Sequence, residues 1–322
     1  MIDFNAKKGF LCDMDGVIYH GNHILPGAAE FIHWLQDEHK EYLFLTNNSG
    51  MTPRELCQKL QRMGLDVPEE HFYTSALATA AFLADQAPGC SVYALGEAGL
   101  RNALYDRGIT MNDVNPDYVV IGEARAYSLD TLTKATNLVL AGAKLIGANS
   151  DVSGPIENGI APACRALVAP IEMATGKQAY FCGKPNPLMM RTGLRMLHCH
   201  SGDAVMVGDR MDTDVISGLE SGMSTVLVLS GVSTRQTVET YAYQQPRKEN
   251  KLPAYPEADD LTEDDLSKPL PPKKWSVTCP DCATKLTVKE GAFAYRCPEC
   301  GGVFQLRKIF RSKQNRISEE NK

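Results

Sequence analysis

The sequence predicts an α/β fold, and three observations carry that expectation. Short apolar runs at Phe10 to Cys12, Tyr42 to Leu45, Val92 to Leu95, Tyr118 to Ile121, Lys144 to Ala148, Ala204 to Val207 and Thr225 to Leu229 read as buried strands. Amphipathic stretches lie between them, which predicts a mostly parallel sheet covered by helices. The runs exceed the needs of one small sheet, so they divide between two α/β units. At 322 residues and 43% hydrophobic composition, the chain can bury a substantial core and form two or three domains.

The first strand, Gly9-Phe10-Leu11-Cys12, leads directly into Asp13-Met14-Asp15-Gly16-Val17. Extended chain puts residues i and i+2 on one side, so both carboxylates can face a common pocket. Gly16 then lets the backbone turn or lets a ligand approach closely. Taken alone, the same residues read as a polar strand end. A helix is predicted from Gly27 to Glu38. The strand at Tyr42 to Leu45 ends in Thr46-Asn47-Asn48-Ser49, whose hydroxyl and amide groups can donate to an oxyanion or cap a loop.

Further helices are predicted over Pro53 to Met63, Leu129 to Ala141 and Pro187 to Leu197. Ahead of the last, Phe181-Cys182-Gly183-Lys184-Pro185 sets a lysine between a flexible residue and a fixed one. Lys184 can supply positive charge for a phosphate, or be merely solvated. The strand at Ala204 to Val207 runs into Gly208-Asp209-Arg210-Met211-Asp212-Thr213-Asp214, an acidic loop opening a helix. Its carboxylates suit a hard cation such as Mg²⁺, and Asp212 or Thr213 could cap the helix.

The net charge of −6 conceals an asymmetry. Residues 273–322 hold 11 Lys or Arg against 5 Asp or Glu, leaving 22 basic and 34 acidic residues upstream, so the body is −12 and the tail +6. An acidic body argues against broad nucleic-acid binding through the main units. The first residues lack the apolar region of a signal peptide and no run is long enough to span a bilayer, which predicts a cytoplasmic protein. Cys12, Cys57, Cys90, Cys164, Cys182 and Cys199 are scattered and read as core or incidental thiols. The triplet His198-Cys199-His200 is a poor metal site, because consecutive side chains do not converge on one ion.

Four strand-end loops carrying Asp-x-Asp, Thr-Asn, Lys and Gly-Asp in that order resemble the haloacid dehalogenase superfamily of phosphotransferases. Leu25-Pro26-Gly27-Ala28, Phe72-Tyr73-Thr74-Ser75-Ala76, Val120-Ile121-Gly122-Glu123 and Leu227-Val228-Leu229-Ser230-Gly231 narrow the resemblance to its NagD-type nucleotide phosphatases, over about residues 8–240. That resemblance implies a doubly wound parallel-sheet core at residues 1–76 and 181–243, with an inserted α/β cap at residues 77–180. It implies hydrolysis of small phosphomonoesters, with nucleoside 5'-monophosphates favoured and a sugar-phosphate or general phosphatase as the alternative. Carried over residue by residue, Asp13 would be the nucleophile and Asp15 the general acid and base. Asp13, the Asp15 backbone carbonyl and Asp209 would hold Mg²⁺, with Asp214 behind them. Thr46 and Asn47 would bind the phosphoryl oxygens and Lys184 would balance charge. Ser150-Asp151-Val152-Ser153-Gly154 and Cys164-Arg165-Ala166 fall in plausible substrate-facing loops of the cap, or are turns and surface patches.

Residues 244–274, rich in proline and acidic side chains, read as a linker. Cys279-Pro280-Asp281-Cys282 and Cys297-Pro298-Glu299-Cys300 then predict a structural zinc ribbon over residues 275–306, its ion held by the four thiolates, with a redox pair as the minor alternative. Zinc contributes on the order of 10 kcal/mol to units with so little core. Residues 307–322 form a basic tail. The flank permits a nucleic-acid partner, a protein partner or self-association, and a further class of reading makes the ribbon the working part of a binding protein.

Overall fold

The computed structural model of the chain describes residues 2–156, 159–243, 274–278, 284–289, 294–296, 298–300 and 303–305. Among them, two five-stranded sheets carry the architecture, both parallel throughout. The first has the order Ser224–Leu227, Ala204–Gly208, Gly9–Cys12, Glu41–Thr46, Phe72–Thr74. Gly9–Cys12 is central because it is apolar on both faces, each of its residues being fully buried or nearly so. From it the chain winds outward one way to Phe72–Thr74 and later returns to wind the other way, so the strand order reverses there. Open α/β sheets bind ligands at such a switch point, beyond the carboxyl ends of the strands.

The second sheet has the order Tyr180–Phe181, Lys144–Gly147, Tyr118–Ile121, Ser91–Leu95, Thr110–Met111. Every apolar run read from the sequence is a strand in one sheet or the other, and the division into two α/β units holds. The short strand Phe72–Thr74 is not legible as a separate run. A hairpin of Ser153–Ile156 with Gly159–Pro162 also lies outside the sequence-based expectation.

Helix Ser75–Gln86 joins the sheets. Its Ser75, Ala76, Ala78, Thr79, Ala80 and Leu83 are buried, a spread around the helix rather than a single stripe. Apolar burial on several sides fits a helix packed between layers. One apolar cluster accordingly runs from Leu11, Leu43 and Leu45 through Ala80 and Leu83 to Val92, Leu104 and Val120 of the second sheet. The opposite face of the first sheet packs Phe10, Phe44, Ile32, Leu35, Leu56 and Leu60 in a second cluster.

The helices start where local chemistry demands. Pro53–Arg62 opens on a reciprocal capping box between Thr52 and Glu55, with proline at its first position. Pro187–Met196 opens on Asn186, whose side chain accepts from the Leu188 N–H. Cys164–Thr175 is a helix as well, which corrects the loop reading of Cys164-Arg165-Ala166. Its Cys164, Val168 and Ile171 pack on the second sheet, and that burial outweighs the cost of Pro170 inside the helix.

After Ser224–Leu227 the chain passes through helix Arg235–Glu239 to Tyr243, whose hydroxyl donates to the Met211 carbonyl at 2.9 Å. Among the described residues, no further strand extends that edge. Lys274–Thr278 pairs antiparallel with Lys285–Lys289, and Ala294–Arg296 with Val303–Gln305. Cys279, Cys282 and Cys297 lie outside the described residues, as do residues 244–273 of the predicted linker and residues 307–322 of the tail; Lys274, read as the linker's last residue, instead opens a strand. No described helix is long and apolar enough to cross a membrane.

Phe44 is fully buried, with its ring centroid 5.4 Å from that of Phe72 and 5.8 Å from that of Tyr42. Phe44→Ala is expected to cost about 3–5 kcal/mol of unfolding free energy. Chemical denaturation reads this, and a loss under about 1 kcal/mol would mean the ring does not anchor the sheet.

Candidate active site

Lys184 organises the site. Its side chain is 2% exposed, and its ammonium donates to Asp13 Oδ1 at 2.6 Å and Asp214 Oδ1 at 2.7 Å. Burial alone would push this lysine down, but Asp13 and Asp214 outweigh it and hold the group above its usual value. The backbone around Lys184 is equally constrained. Its N–H donates to Asn47 Oδ1 at 2.7 Å, and its carbonyl accepts from Asn47 Nδ2 at 3.1 Å. Gly183 permits this clasp, since a Cβ there would sit 2.6 Å from Asn47 Oδ1 and 2.9 Å from the Ala148 carbonyl.

Asp13 and Asp209 follow the central strand and its neighbour Ala204–Gly208, at the switch point. Ligand oxygens of Asp13, Asp209 and Asp214 all lie within 4.8 Å of one another, and all three residues are buried. Ionised together against one ammonium, they leave two negative charges, which a divalent cation would neutralise. Burial and the charges of Asp13 and Asp214 push Asp209 up, while burial pushes Asp214 up against the pull of Lys184. The oxygens differ in availability. Asp214 Oδ2 accepts from the Asp209 and Arg210 N–H groups at 3.2 and 3.1 Å, so both its oxygens are engaged. Asp209 Oδ2 accepts from the Val232 N–H at 2.6 Å, but buried Oδ1 has no hydrogen-bond partner among the described residues. A hard divalent cation fits this donor set, with Asp13 and Asp209 offering the open oxygens.

Gly16 brings the first loop against this cluster at φ 78°, where an added Cβ would meet Asp209 Oδ2 at 2.7 Å. Asp15 directly precedes Gly16. Its Oδ1 is buried without a hydrogen-bond partner among the described residues, 3.6 Å from His20 Nδ1. Burial raises the Asp15 carboxyl, opposed by Lys59 and His20. Burial and then the charges of Asp15 and Asp13 push up the Tyr19 phenol, so both carboxylates act on one region. Asp212 does not cap the helix it opens; it takes the Arg210 guanidinium at 3.0 and 2.8 Å. Nor does Thr213, because no side chain caps the wide helical turn Met211–Val215.

Thr46 ends the strand Glu41–Thr46, and its Oγ1 accepts from the Asn48 N–H at 3.1 Å. The following loop meets the second sheet through a polar network that sequence reasoning did not assign. Glu123 accepts from the N–H and hydroxyl of Ser49 and, at 2.7 Å, from Asn149 Nδ2. Asn149 Nδ2 also donates to the Asn47 carbonyl at 2.6 Å, and Asn47 Nδ2 donates to Asp151 Oδ2 at 3.1 Å. Asp151 belongs to the Ser150 to Gly154 segment read from the sequence as a substrate-facing loop or a turn, whereas Glu123 could have been found by the signal that exposes Asp13, a carboxylate just beyond a buried apolar run. Arg165 is turned away from this region, toward Glu172 and the face of Phe181. Burial pushes Cys12, Cys90, Cys164 and Cys182 up, which fits inert core thiols.

A parallel α/β core with acids and a buried lysine gathered at its switch point defines a hydrolase of the haloacid dehalogenase-like class. The profile described as haloacid dehalogenase-like hydrolase matches residues 10–110, and one described as HAD-hydrolase-like matches residues 181–254. A dihydroxyacetone phosphatase of Corynebacterium glutamicum is 47% identical over 76% of this chain and 88% of its own length. The ribonucleotide monophosphatase NagD of Escherichia coli is 42% identical over 74% of this chain and 93% of its own. The solved structure of E. coli NagD superposes with a TM-score of 0.70 at 41% identity, covering 74% of this chain and 94% of that one. The 4-nitrophenylphosphatase of Thermotoga maritima gives a TM-score of 0.72 at 32% identity, covering 75% and 93%. The chain belongs to the haloacid dehalogenase-like hydrolases and is a phosphatase of the NagD type.

Lys184→Met would leave three buried carboxylates without their internal counter-charge, at an expected cost of about 3–5 kcal/mol in metal-free buffer near neutral pH. Asp209 and Asp214 have raised folded-state values, so their charged forms weigh against the fold as pH rises through those values. The loss should therefore be larger at alkaline than at acidic pH. Thermal melts of both proteins check this, and an equal loss at both ends would count against the charge argument.

Proposed function

We propose that the chain hydrolyses small phosphomonoesters with Mg²⁺ through an aspartyl-phosphate on Asp13. The observation that carries this reading is the buried ammonium of Lys184, 2.6 Å from Asp13 Oδ1 and fixed beside Asp209 and Asp214. Asp13 and Asp209 would hold Mg²⁺ together with the Asp15 backbone carbonyl, and Asp214 would position Lys184 and the Asp209 loop. The ion would supply charge neutralisation between an anionic nucleophile and an anionic substrate.

An Asp13 oxygen attacks phosphorus while the bond to the ester oxygen breaks, and Asp15 gives that oxygen its proton. Asp15, now a carboxylate, then takes a proton from water as the water attacks the aspartyl-phosphate. The bond between phosphorus and Asp13 breaks, releasing inorganic phosphate and restoring both residues. The raised value of Asp15 suits the acid role. Thr46 and Asn47 would contact the phosphoryl oxygens, and Lys184 would balance their charge.

In this reading residues 1–76 and 181–243 are the core and residues 77–180 the cap that closes over it. Nucleoside 5'-monophosphates are the favoured substrates, supported by the 42% identity to a ribonucleotide monophosphatase. The 47% identity to a dihydroxyacetone phosphatase favours a second reading, a triose or sugar phosphate. The C-terminal Cys279, Cys282, Cys297 and Cys300 would hold a structural zinc. The spacing supports this, as do the two antiparallel strand pairs whose connecting segments carry the two Cys-x-x-Cys sequences.

Phosphate release should be measured over nucleotides and sugar phosphates with Mg²⁺. Asp13→Asn is expected to lower turnover on the order of 10⁴-fold or more. Chelation should stop the reaction and added Mg²⁺ restore it. Full turnover in Asp13→Asn, or no release from any ester, would end this reading.

A further inference from the structure

Asp151 reaches the catalytic centre from the second sheet. It follows strand Lys144–Gly147, and the residues around it are tied to the loops that carry Asn47 and Lys184. Asn149 Nδ2 donates to the Asn47 carbonyl at 2.6 Å, and Ser150 Oγ donates to the Lys184 carbonyl at 3.5 Å. Asp151 Oδ2 accepts from Asn47 Nδ2 at 3.1 Å, which fixes the direction of its carboxylate.

The other oxygen is open. Asp151 Oδ1 is buried and has no hydrogen-bond partner among the described residues. Arg210 Nη1 forms an ion pair with it at 3.8 Å, too long for a hydrogen bond, and the same guanidinium is hydrogen-bonded to Asp212. A buried carboxylate oxygen without a donor is costly, and a donor brought by a ligand removes the cost. Burial raises the Asp151 carboxyl and Arg210 opposes that rise; in the ionised form that Arg210 favours it accepts only, so its partner is a hydroxyl or similar donor and not another anion. Sites that hydrogen-bond a substrate hydroxyl discriminate far more strongly than those that merely fill space.

We propose that Asp151 selects the leaving group. Its Oδ1 accepts a hydrogen bond from a hydroxyl of the esterified alcohol, and its charge turns away esters whose leaving group carries a second anion. The favoured class is phosphate esters of neutral polyols and sugars, and the disfavoured class includes phosphoglycolate and bisphosphates. The assignment rests on the phosphatase reading above, with Asn47 and Lys184 beside the phosphoryl group.

The test measures kcat/KM for glycerol phosphate and phosphoglycolate with Mg²⁺, in the full chain and in Asp151→Asn and Asp151→Ser. The ratio of the two constants from one preparation does not depend on how much protein is folded. In both variants the glycerol phosphate to phosphoglycolate ratio is expected to fall about tenfold or more, with the phosphoglycolate constant itself rising. Structural damage does not produce a rise in one substrate. A ratio unchanged within about threefold, or a parallel fall in both substrates, would overturn the assignment and leave Asp151 as a support for Asn47. Release from other esters but not from glycerol phosphate in the unaltered chain would overturn this assignment alone. No release from any ester would overturn the phosphatase reading and this assignment with it.

Discussion

The buried ammonium of Lys184 is the interaction on which the rest of the site depends. A charge taken out of water is tolerated only when it is paired and hydrogen-bonded, and here Asp13 and Asp214 do both. The requirement propagates outward. Asp13 must arrive from the central strand, Asp214 from the turn after Ala204–Gly208, and Lys184 from the chain leaving the second sheet at Tyr180–Phe181. Three segments distant in sequence therefore meet so that the buried ammonium is paired on two sides. Among the described residues, that geometry leaves Asp209 Oδ1 without a hydrogen-bond partner at its edge, which is where a divalent cation fits.

Asn47 extends the constraint to the second sheet. Its side chain clasps the Lys184 backbone in both directions and its carbonyl receives Asn149, so one residue joins the loops that follow Glu41–Thr46, Tyr180–Phe181 and Lys144–Gly147. Glu123 repeats the arrangement one step away by binding Ser49 and Asn149. The two α/β units are thus joined by apolar packing along helix Ser75–Gln86 and by polar contacts at the catalytic loops. A shift of the second sheet against the first would therefore move groups bonded directly to Asn47 and Lys184.

Much of this was legible in the chain. Apolar runs bounded by polar loops mark every strand of four residues or more in the two sheets, because strands buried on both faces must be apolar throughout. What escaped was short or locally ambiguous. Phe72–Thr74 is three residues long and runs without a break into helix Ser75–Gln86. Helix Cys164–Thr175 contains Pro170, a local signal against helix, and forms because Val168 and Ile171 find an apolar sheet to cover. Asp212 was a reasonable cap by type and place, yet Arg210 lies close enough to take it.

The sequence by itself predicted the α/β class and the division of its apolar runs between two units, and its strand-end loops singled out Asp13, Asp15, Thr46, Asn47, Lys184, Asp209 and Asp214 as candidates for the chemistry. Those are properties of local pattern, since each residue sits just beyond an apolar run or beside a glycine or proline that shapes its loop. Only the tertiary structure decided which partners these residues have. It put Lys184 between Asp13 and Asp214, left one buried oxygen of Asp209 and one of Asp151 without a hydrogen bond among the described residues, and brought Glu123 and Asn149 to the loop after Glu41–Thr46. The physical reason is that hydrogen bonds and buried charges are settled by through-space distance, and sequence order does not carry the distance between strands that the fold makes neighbours.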